Sequence, residues 1–185
     1  ELAGLALELA AWGSSDLRFL DPPPTGQMAA ARELLQRLGA LSSSGAITAL
    51  GRRVLALGTH PRIAAFLLQH KNTIATPALL LALALHFELA GDQDLTQWLA
   101  DAEQELKRNR HWQRQQKRWL SVLSLREEGI AIDPLLIARA FSDRIGFKQE
   151  SGRYRLNSGM SVEPQGKLES NWAVFLLINT SAGGK

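Results

Sequence analysis

Residues 25–58, TGQMAAARELLQRLGALSSSGAITALGRRVLALG, decide the fold predicted for the first part of the chain. Thr25 is a good helix cap, and the apolar residues after it recur every three or four positions as far as Leu38, which predicts an amphipathic helix. Two short apolar runs then flank a Ser/Gly turn at residues 42–45, a pattern typical of a small hairpin. Thr48 is suited to cap the next helix. The segment therefore predicts a helix, a hairpin and a helix in succession.

Another helix precedes this segment, because apolar residues recur at helical spacing before a glycine stop: Leu2, Leu5, Leu9, Trp12 and Gly13. Three helices and a hairpin in this order predict a winged-helix module, which we assign to residues 1–60. A winged helix that reads DNA needs side chains that reach base edges, and the exposed face of helix 27–38 offers few of them. Glu33 and Arg37 are more simply an i,i+4 pair. We therefore expect a structural role for this module.

Residues 61–145 are predicted to form a helical bundle. Pro61, Thr76–Pro77 and Asp133–Pro134 each place a proline in the first turn of a helix, where its missing N–H is tolerated. The residues from Ala78 to Leu85 are all apolar, so their helix should be buried on every side. We expect the other helices to pack around it.

A basic stretch, KRNRHWQRQQKRW at residues 107–119, contains no acidic residue. If it is helical, Lys107, Arg110, Arg114 and either Lys117 or Arg118 line one face, since they follow at steps of three and four. Like charges at that spacing repel, which favours an anionic partner such as a phosphate backbone. The other interpretation is a solvated helix face whose tryptophans lie in the core. The candidate nucleic-acid-binding residues are Lys107, Arg110, His111, Arg114, Lys117 and Arg118.

The character of the sequence changes after Ile145, so the fold class is mainly α with a C-terminal β part. Residues 146–157 predict a hairpin around a Ser–Gly turn, residues 160–163 a third strand and residues 171–180 a fourth. We therefore assign residues 146–185 to a β-rich segment, the start of a small barrel.

Several classes of function are excluded by what the sequence lacks. The net charge is +3, and there is no cysteine for disulfides, thiol catalysis or thiolate-bound metals. The chain contains no GxxxxGK[ST], GxGxxG or GxSxG motif, and its histidines have no metal-ligand spacing. We expect no catalytic residue, cofactor or metal site in this chain, and no enzymatic activity from it alone.

Targeting signals are also missing. The longest apolar run is far shorter than the roughly 20 residues that span a bilayer, and no signal peptide precedes the first helix. We expect a cytoplasmic protein without a membrane partner. The chain begins at Glu1, within a predicted helix, so we expect it to be a piece of a longer protein.

Five stretches of the chain together resemble a known family: residues 1–23, residues 31–51, His60–Ala64, Ala140–Ile145 and Tyr154–Gly159. They are similar to the region after the motor in bacterial DEAH-box ATP-dependent RNA helicases of the HrpB type. The chain departs modestly from the family pattern. Ser142 replaces the proline of a Pro-Asp-Arg-Ile motif, and Asn157–Ser158 replace Ala-Asn in a later motif.

The resemblance implies three parts: the winged helix, a bundle of the ratchet-like kind and the start of an OB-like barrel. In such helicases two RecA-like domains bind ATP and Mg²⁺ and hydrolyse ATP. The winged helix packs on that motor, and the bundle closes over single-stranded RNA. No ATP-site residue carries over to this chain, and no family motif assigns a contact to each basic residue.

Two other functions remain open on the sequence alone. The first is a winged-helix DNA-binding regulator with a helical dimerisation domain, which would bind duplex DNA as a symmetric dimer. The second is a protein-interaction module whose basic stretch docks an acidic partner.

Overall fold

The computed structural model of the chain describes residues 2–13, 18–90, 95–164 and 168–176. Within these ranges the secondary structure is mainly α-helical, with six short strands. The chain divides into two compact units, Glu1–Ile132 and Asp133–Lys185, and each is described by itself below.

The first unit begins with a winged helix. Its helices are α1 (Ala3–Trp12), α2 (Thr25–Arg37) and α3 (Ala49–Ala56), and α1 packs against both of the others. An antiparallel bridge between Leu41 and Ile47 closes the hairpin between α2 and α3. The winged helix predicted from the sequence is therefore present.

The start of α3 is held by one hydroxyl and one glycine. Thr48 Oγ1 donates to the carbonyl of Gly39 at 2.6 Å and accepts the N–H of Gly51 at 2.9 Å, so it caps the helix as predicted. Gly51 lies directly against the hairpin, because a Cβ atom at this position would be 2.1 Å from the carbonyl oxygen of Ala40. Only glycine allows so close an approach of the two backbones.

The rest of the first unit is built around one apolar helix. Its elements are α4 (Pro61–Leu67), β1 (Thr73–Ala75), α5 (Thr76–His86), α6 (Leu95–Arg108), α7 (Arg110–Leu123) and β2 (Arg126–Glu128). Helix α5 is buried continuously from Ala78 to Ala84 and packs against α4, α6 and α7. Its central position is the one that its uniformly apolar sequence predicts.

The two short strands of this unit were not predicted. Strands β1 and β2 pair in parallel, with Ile74 opposite Glu127. Each is three residues long and β2 is exposed throughout, so neither shows the apolar alternation by which a strand is recognised. Backbone pairing across distant parts of the chain forms these strands.

The second unit contains α8 (Pro134–Ala140), a 3-10 turn (Ser142–Arg144) and an antiparallel sheet. Its strands are β3 (Ile145–Lys148), β4 (Tyr154–Leu156), β5 (Ser161–Val162) and β6 (Trp172–Val174), in the order β5-β4-β3-β6. No sheet is closed among the described residues, so the OB-like barrel is not confirmed.

The boundaries of this unit differ from the domain boundaries predicted from the sequence. Helix α8 falls in the same unit as the sheet, whereas the sequence assigned residues up to 145 to the bundle. The division at residues 60 and 145 stays a prediction. Residues 177–180 of the predicted fourth strand lie outside the described residues.

Candidate nucleic-acid interface

The basic stretch is divided between two helices. Asn109 leaves the helical conformation (φ −107°, ψ 112°), and its side chain accepts the N–H of His111 at 2.9 Å, which caps α7. Lys107 and Arg108 therefore end α6, while the remaining candidates belong to α7. The expectation that Lys107 continues the face of Arg110 on one helix is not met, because a single side-chain cap breaks the helix between them.

Helix α7 has a buried aromatic face. Trp112 and Trp119 are 4% and 1% exposed. Trp112 stacks on Phe87 with a ring-centroid distance of 5.0 Å, and Trp119 packs against His86 at 5.2 Å. Both tryptophans therefore belong to the core, as the second interpretation of the stretch supposed, and neither is available to stack on a base.

The opposite face of α7 is basic. At about 100° per residue, its four cations fall within an arc of about 100° that points away from the tryptophans. All four are exposed, as is His111 at the edge of the arc. The cations of this basic face are Arg110, Arg114, Lys117 and Arg118. The buried tryptophans fix its orientation.

The positive charge of this face is not balanced by the described residues. Lys107 Nζ lies 2.6 Å from Glu103, and Arg108 forms an ion pair with Glu105. By contrast, three cations of α7 form no hydrogen bond or ion pair through their side chains with any residue that the structure describes: Arg110, Arg114 and Lys117. Like charges at this spacing destabilise a helix by roughly 0.2–0.5 kcal/mol per pair, which a bound anion would relieve.

Arg118 differs from the other three because it reaches the winged helix. Its Nη2 lies 3.5 Å from the carbonyl oxygen of Ala56, at the C-terminal end of α3. The same nitrogen is 3.1 Å from the position that a Cβ of residue 58 would occupy, and Gly58 has a φ of +58°. The guanidinium thus lies against the end of α3, where the helix dipole favours a cation.

His86 lies behind this contact and has a structural environment. Its Nδ1 is 2.9 Å from Thr59 Oγ1, and its ring packs on Phe87 as well as Trp119. Burial lowers the pKa of His86, and the nearby Arg118 cation lowers it further.

Within the described part of the chain, no group of three or more His, Cys, Asp or Glu residues could hold a metal ion.

The exposed face of α2 is occupied by contacts within the protein. Arg37 forms an ion pair with Glu33, which confirms the predicted pair. The Gln36 amide donates to the carbonyls of Ser42 and Ser43 at 3.2 and 3.4 Å, so it supports the hairpin. These contacts leave α2 with few side chains that could form hydrogen bonds with base edges.

None of the helices in the described ranges is long and apolar enough to cross a membrane.

Comparison with known proteins identifies relatives of this chain. A family model described as "Helicase associated domain (HA2), winged-helix" matches residues 31–58. The ATP-dependent RNA helicase HrpB of Escherichia coli (strain K12) is 37% identical over 171 residues, which are 88% of this chain and 20% of that protein. The resemblance predicted from the sequence is therefore confirmed, and neither alternative function is favoured.

Solved structures of HrpB have the same fold. A crystal structure of the E. coli DExH-box NTPase HrpB has a TM-score of 0.68 and 36% identity, covering 86% of this chain and 20% of that one. A crystal structure of the Escherichia coli DEAH/RHA helicase HrpB has a TM-score of 0.73 and 34% identity, covering 94% of this chain and 23% of that one. The chain thus spans about one fifth of the length of these relatives.

Proposed function

Because this chain is similar to HrpB helicases over most of its length and contains their helicase-associated winged helix, we propose that it is an accessory region of an ATP-dependent RNA helicase. It closes over a single strand of RNA and packs on the RecA-like motor domains. Those domains supply ATP and Mg²⁺ binding, and this region contributes no catalytic group. The observation that carries the proposal is the exposed, unbalanced basic face of α7.

The basic face suits a phosphate backbone. Arg110, Arg114 and Lys117 follow at steps of three and four, so their Cβ atoms are about 5–6 Å apart along one side of the helix. Phosphate contacts of this kind hold a strand without reading its sequence, as a translocating enzyme requires. Arg118 extends the three central cations on α7, Lys107 lies before the break at the end of α6, and the exposed ring of His111 is available to a base.

The experiment is RNA binding by the whole chain, measured by fluorescence anisotropy with a labelled single strand across a salt series. If three phosphates are neutralised by Arg110, Arg114 and Lys117, replacing all three by alanine should flatten the log–log salt slope by about 2. The matched control replaces three exposed cations outside α7 by alanine: Arg18, Arg37 and Arg126. An unchanged slope in the α7 variant would contradict the proposal.

The preference for RNA has its own test. A single-stranded DNA of the same sequence should compete more weakly if groups near the basic face contact the 2′-hydroxyl. Equal competition would mean that the region binds single strands without preferring RNA to DNA. Stronger competition by duplex DNA would instead favour a winged-helix regulator.

A further inference from the structure

Helix α3 of the winged helix exposes a second pair of arginines. Arg52 and Arg53 are solvent-exposed and form no ion pair or hydrogen bond through their side chains within the described ranges. Helix α3 contains no acidic residue that could balance them. Its buried side carries Gly51 and Val54, so both arginines lie on the face turned away from the core.

These arginines lie close to the end of the basic face of α7. On a helix of 3.6 residues per turn, Arg52 and Arg53 fall on either side of the line through Ala56, one turn before it. The rise of about 1.5 Å per residue places them roughly 4.5–6 Å from Ala56 along the axis. Arg118 meets α3 at the Ala56 carbonyl. The arginine pair therefore lies about one helical turn before the point where Arg118 contacts α3.

The dipole of α3 stabilises only part of this positive charge. A helix C-terminus favours a nearby cation by about 0.3–1 kcal/mol at an exposed site, and Arg118 already contacts the terminal carbonyl. Arg52 and Arg53 add two further positive charges one turn earlier on the same helix, and no described residue balances them. Neither α3 nor α7 contains a carboxylate that could separate these cations from Arg110, Arg114 and Lys117. Such a track suits a polyanion that extends across both helices.

We propose that the winged helix is a direct part of the strand-binding surface. Arg52 and Arg53 neutralise the phosphates that follow those held by α7, and Arg118 lies at the junction. A single strand thus passes from the bundle onto α3, which gives the winged helix a phosphate-binding role besides its structural one. The inference rests on the proposed function, because it extends the path that begins on α7.

The test replaces Arg52 and Arg53 by alanine in the whole chain and measures binding of labelled single-stranded RNA across a salt series. Loss of two phosphate contacts should flatten the log–log slope by about 1.4 and weaken binding roughly 25-fold at 0.1 M salt. The lysine variant, Arg52→Lys with Arg53→Lys, should keep the slope. The matched control is Arg32→Ala with Arg37→Ala, two exposed arginines on α2 of the same module, which should leave both quantities unchanged.

The outcomes separate this inference from the proposed function. If the α7 triple variant flattens the slope and Arg52→Ala with Arg53→Ala does not, the strand stays on the bundle and the inference is overturned while the function stands. If neither variant changes the slope, both are overturned. If the lysine variant loses as much affinity as the alanine variant despite keeping the charge, phosphate neutralisation is not the role of these residues and the inference fails.

Discussion

Arg118 is the residue at which the basic face and the winged helix meet, and its positive charge lowers the pKa of the nearby His86. Burial is the main cause of the lowered pKa of His86, and the Arg118 cation is the second. Removing that cation by Arg118→Ala should therefore raise the pKa of His86, which an NMR titration of the imidazole would measure.

His70 provides the control within the same protein. Burial alone lowers its pKa, so Arg118→Ala should leave its titration unchanged. If both histidines moved together, the substitution would have loosened the bundle rather than removed a local charge. If neither moved, the guanidinium would not lie beside His86.

The same two histidines predict how stability depends on pH. Their pKa values are lowered in the folded protein, so the unfolded chain binds more protons as pH falls below about 6.5. Their neutral forms therefore contribute stability that is present above that pH and is lost on acidification. Urea denaturation should give a lower free energy of unfolding at mildly acidic pH than at neutral pH. The variant His70→Gln with His86→Gln should show a smaller loss; an equal loss would assign the effect to other groups.

At the scale of single elements, Gly51 decides whether α3 can pack on the hairpin. The variant Gly51→Ala would place a Cβ atom 2.1 Å from the Ala40 carbonyl oxygen and 2.8 Å from Ile47. The backbone must then shift, which should destabilise the protein by about 3 kcal/mol. That loss exceeds the roughly 1 kcal/mol that alanine gains over glycine within a helix. Thermal and urea denaturation would measure it.

Gly4 is the matched control for this substitution. It lies in α1, and no heavy atom is within 4 Å of the position that its Cβ would occupy. The variant Gly4→Ala should therefore stabilise the protein by up to about 1 kcal/mol. If the two variants had the same effect on stability, the result would contradict the close contact between α3 and the hairpin.

The elements that were predicted correctly from the sequence are helices that begin with a capping residue or a proline. Thr48, Pro61 and Asp133 each begin a helix at the predicted place, because capping and proline geometry are local properties. Asn109 shows the limit, since Asn is tolerated within a helix as well as at its start. In the structure its side chain caps α7, so α6 and α7 are separate helices. This break, not a change of composition, separated Lys107 from the other candidates.

The elements that sequence missed are fixed by distant parts of the chain. Strand β1 pairs with β2 across about fifty intervening positions, for example between Ala75 and Glu128, and no local pattern marks either strand. The pairing of Arg118 with Ala56 is similar, because its geometry depends on how α7 packs against α5 through Trp119. The charge pattern could indicate a basic surface, whereas only the packing shows that it reaches α3.

At the scale of the whole molecule, the division into two units makes a prediction about where binding resides. Every residue of the proposed strand path lies in Glu1–Ile132, and so does the core that holds it. That core includes α5 and the tryptophans that orient α7. A protein comprising residues 1–132 alone should therefore fold and bind single-stranded RNA.

Circular dichroism comes first, because the shortened protein must keep a cooperative thermal transition before its binding can be interpreted. Its salt slope should then equal that of the whole chain, since the slope counts neutralised phosphates and all the proposed contacts are retained. A shallower slope in a folded 1–132 protein would show that residues 133–185 contribute phosphate contacts of their own. In that case the strand would continue beyond the winged helix and the bundle, and the exposed Arg153 and Arg155 would be the first residues to replace.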